Sequence, residues 1–557
     1  MATQNPYKWN VMIFLAGNNS LSEECVYGLT EVLGAKINGD IAVFAQLSTG
    51  VHRGTFLNLR DFKDRDQLHK KLNEELSAQN QASKAEQKEL AKKPFSRRIF
   101  DFVKECIGED NSHRADHYML ILAGHGNGIL GEFLREDDRD NDIKRMNMIN
   151  LGGLIEKINR ELLFGEKMDV LGMDSCLMSM TEIAYAVHNH AKVMIGAEGF
   201  EPMAGWPYHQ ILELLTETPD DLNELGRKIV NQYIDFYTVY QAANLSVDMS
   251  ASDLTETVTV MKAIHSLAVT LQPILDRYAT EVLNMDIDDP PESVVVRDAV
   301  LLAHWEAQLY KNEQYTDIYD FCTLLKARLS KKHFAVRRAC QNVLNAIAGV
   351  EKQKKLEGDK WEDGLADNKF KPSWSGRFKT QRRWMKTVNF QQAKGFVLKS
   401  CYSGWAVQYS YGVSVYFPWS EVPADMEEYR RLNFAADSRW AKLLDAYLKA
   451  TKRHARPGKD QDTVPPTTFP TSFLRDNFSV APATFLKHRN AEPNRNAEPN
   501  RNAEPNRSLT NMIGSMKNPP TDFWECPEFD PPNQGKQVIT LRVKTNVNKS
   551  KKKLVRQ

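Results

Sequence analysis

Cys176, in the stretch MDSCLMSM (173–180), stands two residues after Asp174 at the point where an apolar run ends. A neighbouring negative charge raises a thiol's pKa and blunts its nucleophilicity, so this pairing suits a reactive cysteine only where the carboxylate serves another purpose. His125 ends a second apolar run, within GHGNG, and its neighbours Gly124 and Gly126 let backbone and substrate approach the imidazole closely. An imidazole beside a thiol is the general base that a cysteine nucleophile needs. The residues after Cys176, LMSMTEIAYAV, read as a helix, which predicts a sulfur near a helix N-terminus, where the dipole favours the thiolate. A lone buried cysteine is commonly inert, and a histidine between glycines commonly marks only a turn. Their joint placement at two strand ends is what makes the pair a candidate site.

The elements that must position this pair are legible as short apolar runs: WNVMIFLAG (9–17), IAVFAQLS (41–48), HYMLILAGHG (117–126), MDVLGMDSC (168–176) and AKVMIGAEG (191–199). Continuous apolarity suits strands buried on both faces. Segments with helical spacing lie between them, including SEECVYGLTEVLGA, PFSRRIFDFVKECI and NLGGLIEKINREL. This alternation predicts an α/β fold with a mostly parallel sheet flanked by helices, in which sites collect at the carboxyl ends of the strands. Residues 1–221 are expected to form the catalytic unit. Residues 222–455 read as a mainly helical and mixed accessory region, with strands near 244–250 and 411–420, a loop at 286–293, an irregular insertion over 350–395 and a helix at 438–450. From 456 the composition turns to Pro, Asn, Thr and charge, and 489–506 are three copies of RNAEPN, a tract too polar to offset its ordering entropy. A disordered spacer followed by a short basic tail is expected there.

Composition narrows the function classes. The chain has 557 residues, 42% hydrophobic and 26% charged, with a formal net charge of +1, so no overall field steers a polyanion or an acidic membrane. The seven cysteines are scattered without CxxC or Cys/His metal spacing, and reduced thiols are expected. The start, MATQNPYKWNVMIFLAGNNS, has no basic region followed by a long apolar stretch and a small-residue cleavage site, and no apolar run reaches the ~18 residues of a membrane span. A cytoplasmic protein without a membrane span is the expectation. Neither GxxxxGK[ST] nor a strand-linked GxGxxG is present, which disfavours a nucleotide-binding enzyme, and Ser175 does not sit in GxSxG.

ILAGHGNG together with LGMDSCLMSMTEIAYAV resembles the clostripain (C11) family of caspase-like cysteine peptidases, clan CD. IGAEGFEPMAGWPY (195–208) is similar to that family's Glu-Pro to Gly-Trp loop, and WNVMIFLAGNNSL and GVSVYFP extend the likeness over roughly residues 7 to 450. The spacing of His125 and Cys176 is close to the ~50 residues that separate the caspase pair, but the caspase Gln-Ala-Cys signature is missing. The resemblance implies a caspase-like fold and a cysteine endopeptidase. Cys176 would be its nucleophile and His125 its base, with the backbone N–H groups of Gly126 and Cys176 holding the oxyanion. No third member of a triad is evident.

The resemblance also answers the question raised by Asp174. If the strand ran on to Cys176, residues 174 and 176 would share a side. The family's matching Asp forms the floor of a pocket for Arg or Lys at P1, which implies cleavage of protein substrates after Arg or Lys. Asp174 as a helix cap is the physical alternative. Glu198 and Glu201 either add negative potential to that pocket or are simply solvated.

Self-cleavage is implied within REDDRDNDIKRMN (135–147), where Arg139, Lys144 and Arg145 are candidate sites; Arg489, Arg495, Arg501 and Arg507 frame the repeats as further ones. The sequence requires no cofactor. Calcium is possible on the Asp-rich run, although the EF-hand's Gly and Glu are lacking. A regulatory peptidase of bacterial defence or cell death, with an activating or inhibitory protein partner, is the reading by analogy with the clan. The alternative is a caspase-like scaffold that binds partners through its helical region and tail, although such a protein would be expected to have lost His125 or Cys176.

Overall fold

The computed structural model of the protein describes residues 5–451, apart from 18, 49–54, 63–65, 69, 73, 75–93, 131–132, 135–145, 218–220, 239–244, 285, 287, 312, 350–386, 391–394 and 420–422. The strands are β1 (Tyr7–Ala16), β2 (Ile41–Ser48), β3 (Thr55–Asn58), β4 (Ala115–Ala123), β5 (Met168–Asp174), β6 (Ala191–Gly196), β7 (Val247–Asp253), β8 (Leu309–Tyr310), β9 (Tyr315–Asp317), β10 (Thr387–Phe390), β11 (Val397–Ser403) and β12 (Ser414–Tyr416). The helices are α1 (Ser22–Gly34), α2 (Phe95–Ile107), α3 (Met148–Glu161), α4 (Thr181–Val187), α5 (Tyr208–Glu217), α6 (Leu222–Thr238), α7 (Thr257–Glu281), α8 (Glu292–Glu306), α9 (Ile318–Arg328), α10 (Phe334–Ala348), α11 (Pro423–Arg430), α12 (Asn433–Asp437) and α13 (Trp440–Thr451).

A nine-stranded sheet runs in the order β10, β11, β7, β6, β5, β4, β1, β2, β3. Its centre, β6 to β2, is parallel. The strands on either side are antiparallel, so the mostly parallel α/β sheet expected from the alternating runs is mixed at its margins. Both faces are covered, which is why the central strands read as continuous apolar runs. Met12, Phe14, Leu120, Leu122 and Leu171 point into one core with the apolar faces of α2, α3 and α7. Val11, Ile13, Leu15, Met119, Ile121 and Val170 point into the other, with α1, α5 and α6. The two-residue alternation of a strand thus feeds both layers from one sequence.

The region beyond residue 222 is not a separate layer of helices. It supplies β7, β10 and β11 to the large sheet, and β8, β9 and β12 form a small sheet of their own. This small sheet reaches the catalytic half through a parallel bridge between Met180 and Ser414 and through the Ser414 N–H, which donates to the Ser179 carbonyl at 3.0 Å. With the turn before it, α7 spans Leu254–Glu281, the one helix among the described residues long and apolar enough to cross a membrane by length and composition. Its apolarity has a local cause, since α8, α10 and α13 all pack on it.

At the end of the sheet away from the candidate site, Asp169 ties three parallel strands together. Its carboxylate accepts from the Tyr118 N–H at 2.9 Å and from Lys192 at 2.7 Å, with His117 at 3.6 Å. Burial alone would raise its pKa, but the nearby His117 and the hydrogen bonds from Lys192 and Tyr118 outweigh this and hold it below the usual range. A depressed carboxyl contributes stability above the unfolded pKa and loses it as pH falls through the folded one. Asp169→Asn is therefore expected to destabilise the protein by roughly 1–3 kcal/mol at pH 7, and by progressively less below a pH of about 4. Urea unfolding at the two pH values checks this, and an equal loss at both would refute it.

Candidate active site

The register of the sheet places the two candidate residues side by side. Ala123 at the end of β4 pairs with Asp174 at the end of β5, and the Gly124 N–H continues the ladder by donating to the Asp174 carbonyl at 3.1 Å. His125 and Cys176 each follow two residues later, just beyond the ends of these neighbouring strands, which run about 4.8 Å apart. Gly126 lies against the backbone of Cys176, where an added Cβ would come 2.3 Å from the Cys176 carbonyl oxygen and 2.9 Å from its nitrogen. Only glycine permits this approach. Neither the Gly126 nor the Cys176 N–H donates to a backbone carbonyl among the described residues.

Two expectations about Cys176 are corrected. It does not open a helix: it sits in a turn, and α4 begins only at Thr181. The apolar Leu177, Met178 and Met180 are fully buried, and the chain turns at Leu177, which has φ +65°, to reach their places. The Leu177 and Ser179 N–H groups bond the Gly199 and Ala197 carbonyls at 2.9 and 2.8 Å, so the segment pairs with the loop after β6 instead of coiling. The helix that follows therefore does not place its N-terminus at the sulfur. Secondly, β5 stops at Asp174, so an unbroken strand does not align residues 174 and 176.

What joins the thiol to carboxylates is the loop after β6. The Glu201 N–H donates to the Cys176 Sγ at 3.3 Å, and the Glu201 carbonyl lies 3.8 Å from it. Burial pushes the thiol up to about 12, the charges of Glu201 and Asp174 add to the rise, and the Glu201 N–H only partly opposes it. Burial and these carboxylates thus favour the protonated thiol over the thiolate.

Asp174 is buried and caps no helix. Its Oδ2 accepts from the Tyr208 hydroxyl at 2.6 Å and the Trp206 N–H at 3.2 Å. Burial raises its pKa against the pull of those donors. Glu201 is 8% exposed; among the described residues neither of its carboxylate oxygens has a donor within hydrogen-bond distance, and the buried Trp206 indole N–H and Tyr233 hydroxyl have no acceptor. Burial and then the charge of Asp174 raise the Glu201 pKa well above its ordinary value. No lysine, arginine or histidine pairs with either carboxylate among the described residues.

Glu198 belongs to different surroundings. It is 0% exposed, so it is not a solvated surface group, and its Oε1 accepts from the Gly412 N–H at 2.7 Å. Asp317 and Asp248 are its acidic neighbours, and Asp248 accepts the Glu198 and Gly199 N–H groups at 2.8 and 3.0 Å. The geometry thus separates the two glutamates: Glu201 lies by the thiol, and Glu198 ties the loop to the accessory region.

Sequence reasoning missed Ser20, whose hydroxyl bonds His125 Nε2 at 2.9 Å. Its loop follows β1, the other neighbour of β4, so a residue over a hundred positions upstream arrives beside the imidazole. A lone serine in LAGNNSL gives no such signal. The contact fixes one ring nitrogen and the tilt of the ring. A single neutral hydrogen bond contributes about 1 kcal/mol, so Ser20→Ala is expected to lower kcat about fivefold with KM nearly unchanged. Steady-state kinetics check this, and an unchanged kcat would remove Ser20 from the site.

The sequence profile of the clostripain family matches residues 100–447, more than half of the chain and all of the Cys176 strand. The chain belongs to the clostripain family of cysteine peptidases. Among curated proteins none matches it. It is similar to a solved structure of a secreted C11 cysteine protease from Bacteroides thetaiotaomicron in complex with an irreversible peptide inhibitor, at 15% identity and TM-score 0.43, covering 78% of this chain and 99% of that one. A second structure of a secreted C11 protease from that organism gives 13% identity, TM-score 0.43, and 78% and 100% coverage. An inactive zymogen C11 protease from Parabacteroides distasonis gives 17% identity, TM-score 0.42, and 79% and 99% coverage.

The cytoplasmic location expected from the sequence is withdrawn: both Bacteroides thetaiotaomicron structures are described as those of secreted C11 proteases. That expectation rested on the first residues alone, and their composition does not determine where this clostripain-family chain resides. Arg139, Lys144 and Arg145, Arg489, Arg495, Arg501 and Arg507, and the Asp-rich run considered for calcium lie outside the described residues. Among the described residues no group of three or more His, Cys, Asp or Glu is arranged to hold a metal ion.

Proposed function

We propose that this clostripain-family protein is an endopeptidase that cleaves after Arg or Lys, with Cys176 as nucleophile and His125 as general base. The observation that carries the specificity is a pair of buried carboxylates, Asp174 and Glu201, beside the thiol and without a cationic partner among the described residues. A buried charge without a counter-ion is costly, and a substrate guanidinium or ammonium supplies the missing one.

In this reading the P1 cation settles against Asp174 and Glu201, and the scissile carbonyl lies over Sγ. His125 takes the thiol proton as the sulfur–carbon bond forms, then returns it to the leaving amine. The Gly126 and Cys176 N–H groups, unused by backbone carbonyls among the described residues, receive the oxyanion. Water then attacks the thioester with His125 again as base. Self-cleavage at Arg139, Lys144 or Arg145 is part of the same reading, as is an activating or inhibitory partner.

The test is a panel of fluorogenic peptides differing only at P1, with Arg, Lys, Asp or Leu, and intact-mass analysis of the protein itself. Hydrolysis confined to Arg and Lys is expected, together with mass losses that end at basic residues. Equal rates across the panel, or cleavage after Asp or Leu, would overturn the pocket assignment.

A further inference from the structure

The turn that follows His125, Asn127 to Leu130, is gripped by two side chains of the β8–β9 hairpin. The Tyr315 hydroxyl donates to the Asn127 carbonyl at 2.7 Å and accepts from the Leu130 N–H at 3.2 Å. Lys311 Nζ donates to the carbonyls of Asn127 and Leu130 at 3.1 and 2.6 Å and to the Tyr315 hydroxyl at 3.1 Å. A phenol has one hydrogen to donate and an ammonium three, so every donor of both groups is used. These residues are more than 180 positions from the turn they hold.

The surroundings are built for this contact. Gly128 lies on the tyrosine ring with φ +66°, and a Cβ there would come 2.5 Å from the ring. Lys311 itself has φ +46°, a backbone conformation unfavourable for any residue but glycine, held by the structure around it. Among the described residues no carboxylate forms an ion pair with its ammonium. The ammonium instead meets neutral oxygens of the turn. Burial lowers its pKa to about 8, while Asp425 and Glu428 of α11 act on it from farther off. On the other side of the turn the Leu134 N–H donates to the His125 carbonyl at 2.8 Å.

We propose that Lys311 and Tyr315 are positioning residues for the peptidase reaction: by clamping Asn127 to Leu130 they fix His125 and the Gly126 amide against Cys176. The proposal rests on the reading of His125 and Cys176 as base and nucleophile. The hairpin would thus make the catalytic half depend on the accessory region for geometry. A shift of order 1 Å at reacting groups costs about a hundredfold in rate.

The test uses the full chain with Tyr315→Phe, which keeps the ring on Gly128, and with Lys311→Met, which keeps the stem. Steady-state kinetics on a P1-Arg peptide, normalised to titrated active sites, are read beside amide hydrogen exchange. In each variant kcat should fall about ten- to a hundredfold with KM within about threefold. Exchange at Asn127 to Leu130 should quicken while β5 and β6 keep their protection. Unchanged kcat and unchanged exchange in the turn would overturn the clamp, and loss of protection throughout the sheet would reduce it to a fold-stabilising contact. If the wild-type protein hydrolyses no basic peptide, the peptidase reading fails by itself, and the exchange data still decide whether the hairpin holds the turn.

Discussion

Cys176→Ala is expected to remove peptide hydrolysis altogether, a loss of at least about 10⁴-fold in kcat, as when the nucleophile of a comparable hydrolase is deleted. The fold should survive, because the side chain is small and only half-buried, and its hydrogen-bond partner is the main chain of Glu201. The electrostatics add a sharper expectation. With the thiol pushed up to about 12 by burial and the nearby carboxylates, the thiolate is scarce at neutral pH. Alkylation of Cys176 by iodoacetamide, followed by peptide mass mapping, should be slow at pH 7 and climb steadily past pH 9. A thiolate–imidazolium pair formed at rest would instead give a fast rate that is flat from about pH 5 to 8, and that profile would refute a thiol that ionises only as it attacks. Residual hydrolysis by the alanine variant would remove Cys176 from the chemistry.

Asp174→Asn is expected to lower kcat/KM for P1-Arg and P1-Lys peptides about a hundredfold, with a much smaller change for a P1-Leu peptide. A charged hydrogen-bonded partner lost from a buried site is worth about 2–4 kcal/mol, which corresponds to about 30- to 1000-fold. Asparagine still offers an oxygen to the Tyr208 hydroxyl and the Trp206 N–H, so the loop after β6 keeps its anchor. Alanine would leave both donors buried and unpaired and would confound specificity with folding. Binding of a guanidinium inhibitor should also release protons, because burial raises both carboxyls, the charge of Asp174 raises Glu201 further, and an arriving cation acts in the opposite direction. Titration calorimetry in buffers of different ionisation enthalpy measures that release. A proton count near zero, or equal losses across all P1 residues, would place the substrate cation elsewhere.

Much of the architecture was readable in the chain because the central strands are buried on both faces, and such strands must be apolar without interruption. The runs at 41–48 and 168–176 coincide with β2 and β5 almost residue for residue. The β8–β9 hairpin and the sheet strand β11 were not foreseen. They are short or flanked by polar residues, and their partners lie far away in sequence, so no local period announces them. The helix expected to begin at Cys176 failed for a related reason: residues 177–180 have helical composition but are drawn out by pairing with the loop after β6.

The sequence by itself determined which residues bear reactive groups, that they stand at the ends of buried strands, and that a carboxylate lies close to the thiol. Those features depend on residue identity and on spacing within one strand or one turn. Tertiary structure alone decided which carboxylate is Cys176's near neighbour, that Glu198 serves the accessory region, that Ser20 reaches His125, and that Lys311 and Tyr315 hold the turn beside it. Each of these is a contact between segments far apart in the chain, and hydrogen bonds and charges act over a few ångströms of space, whatever length of sequence lies between the groups.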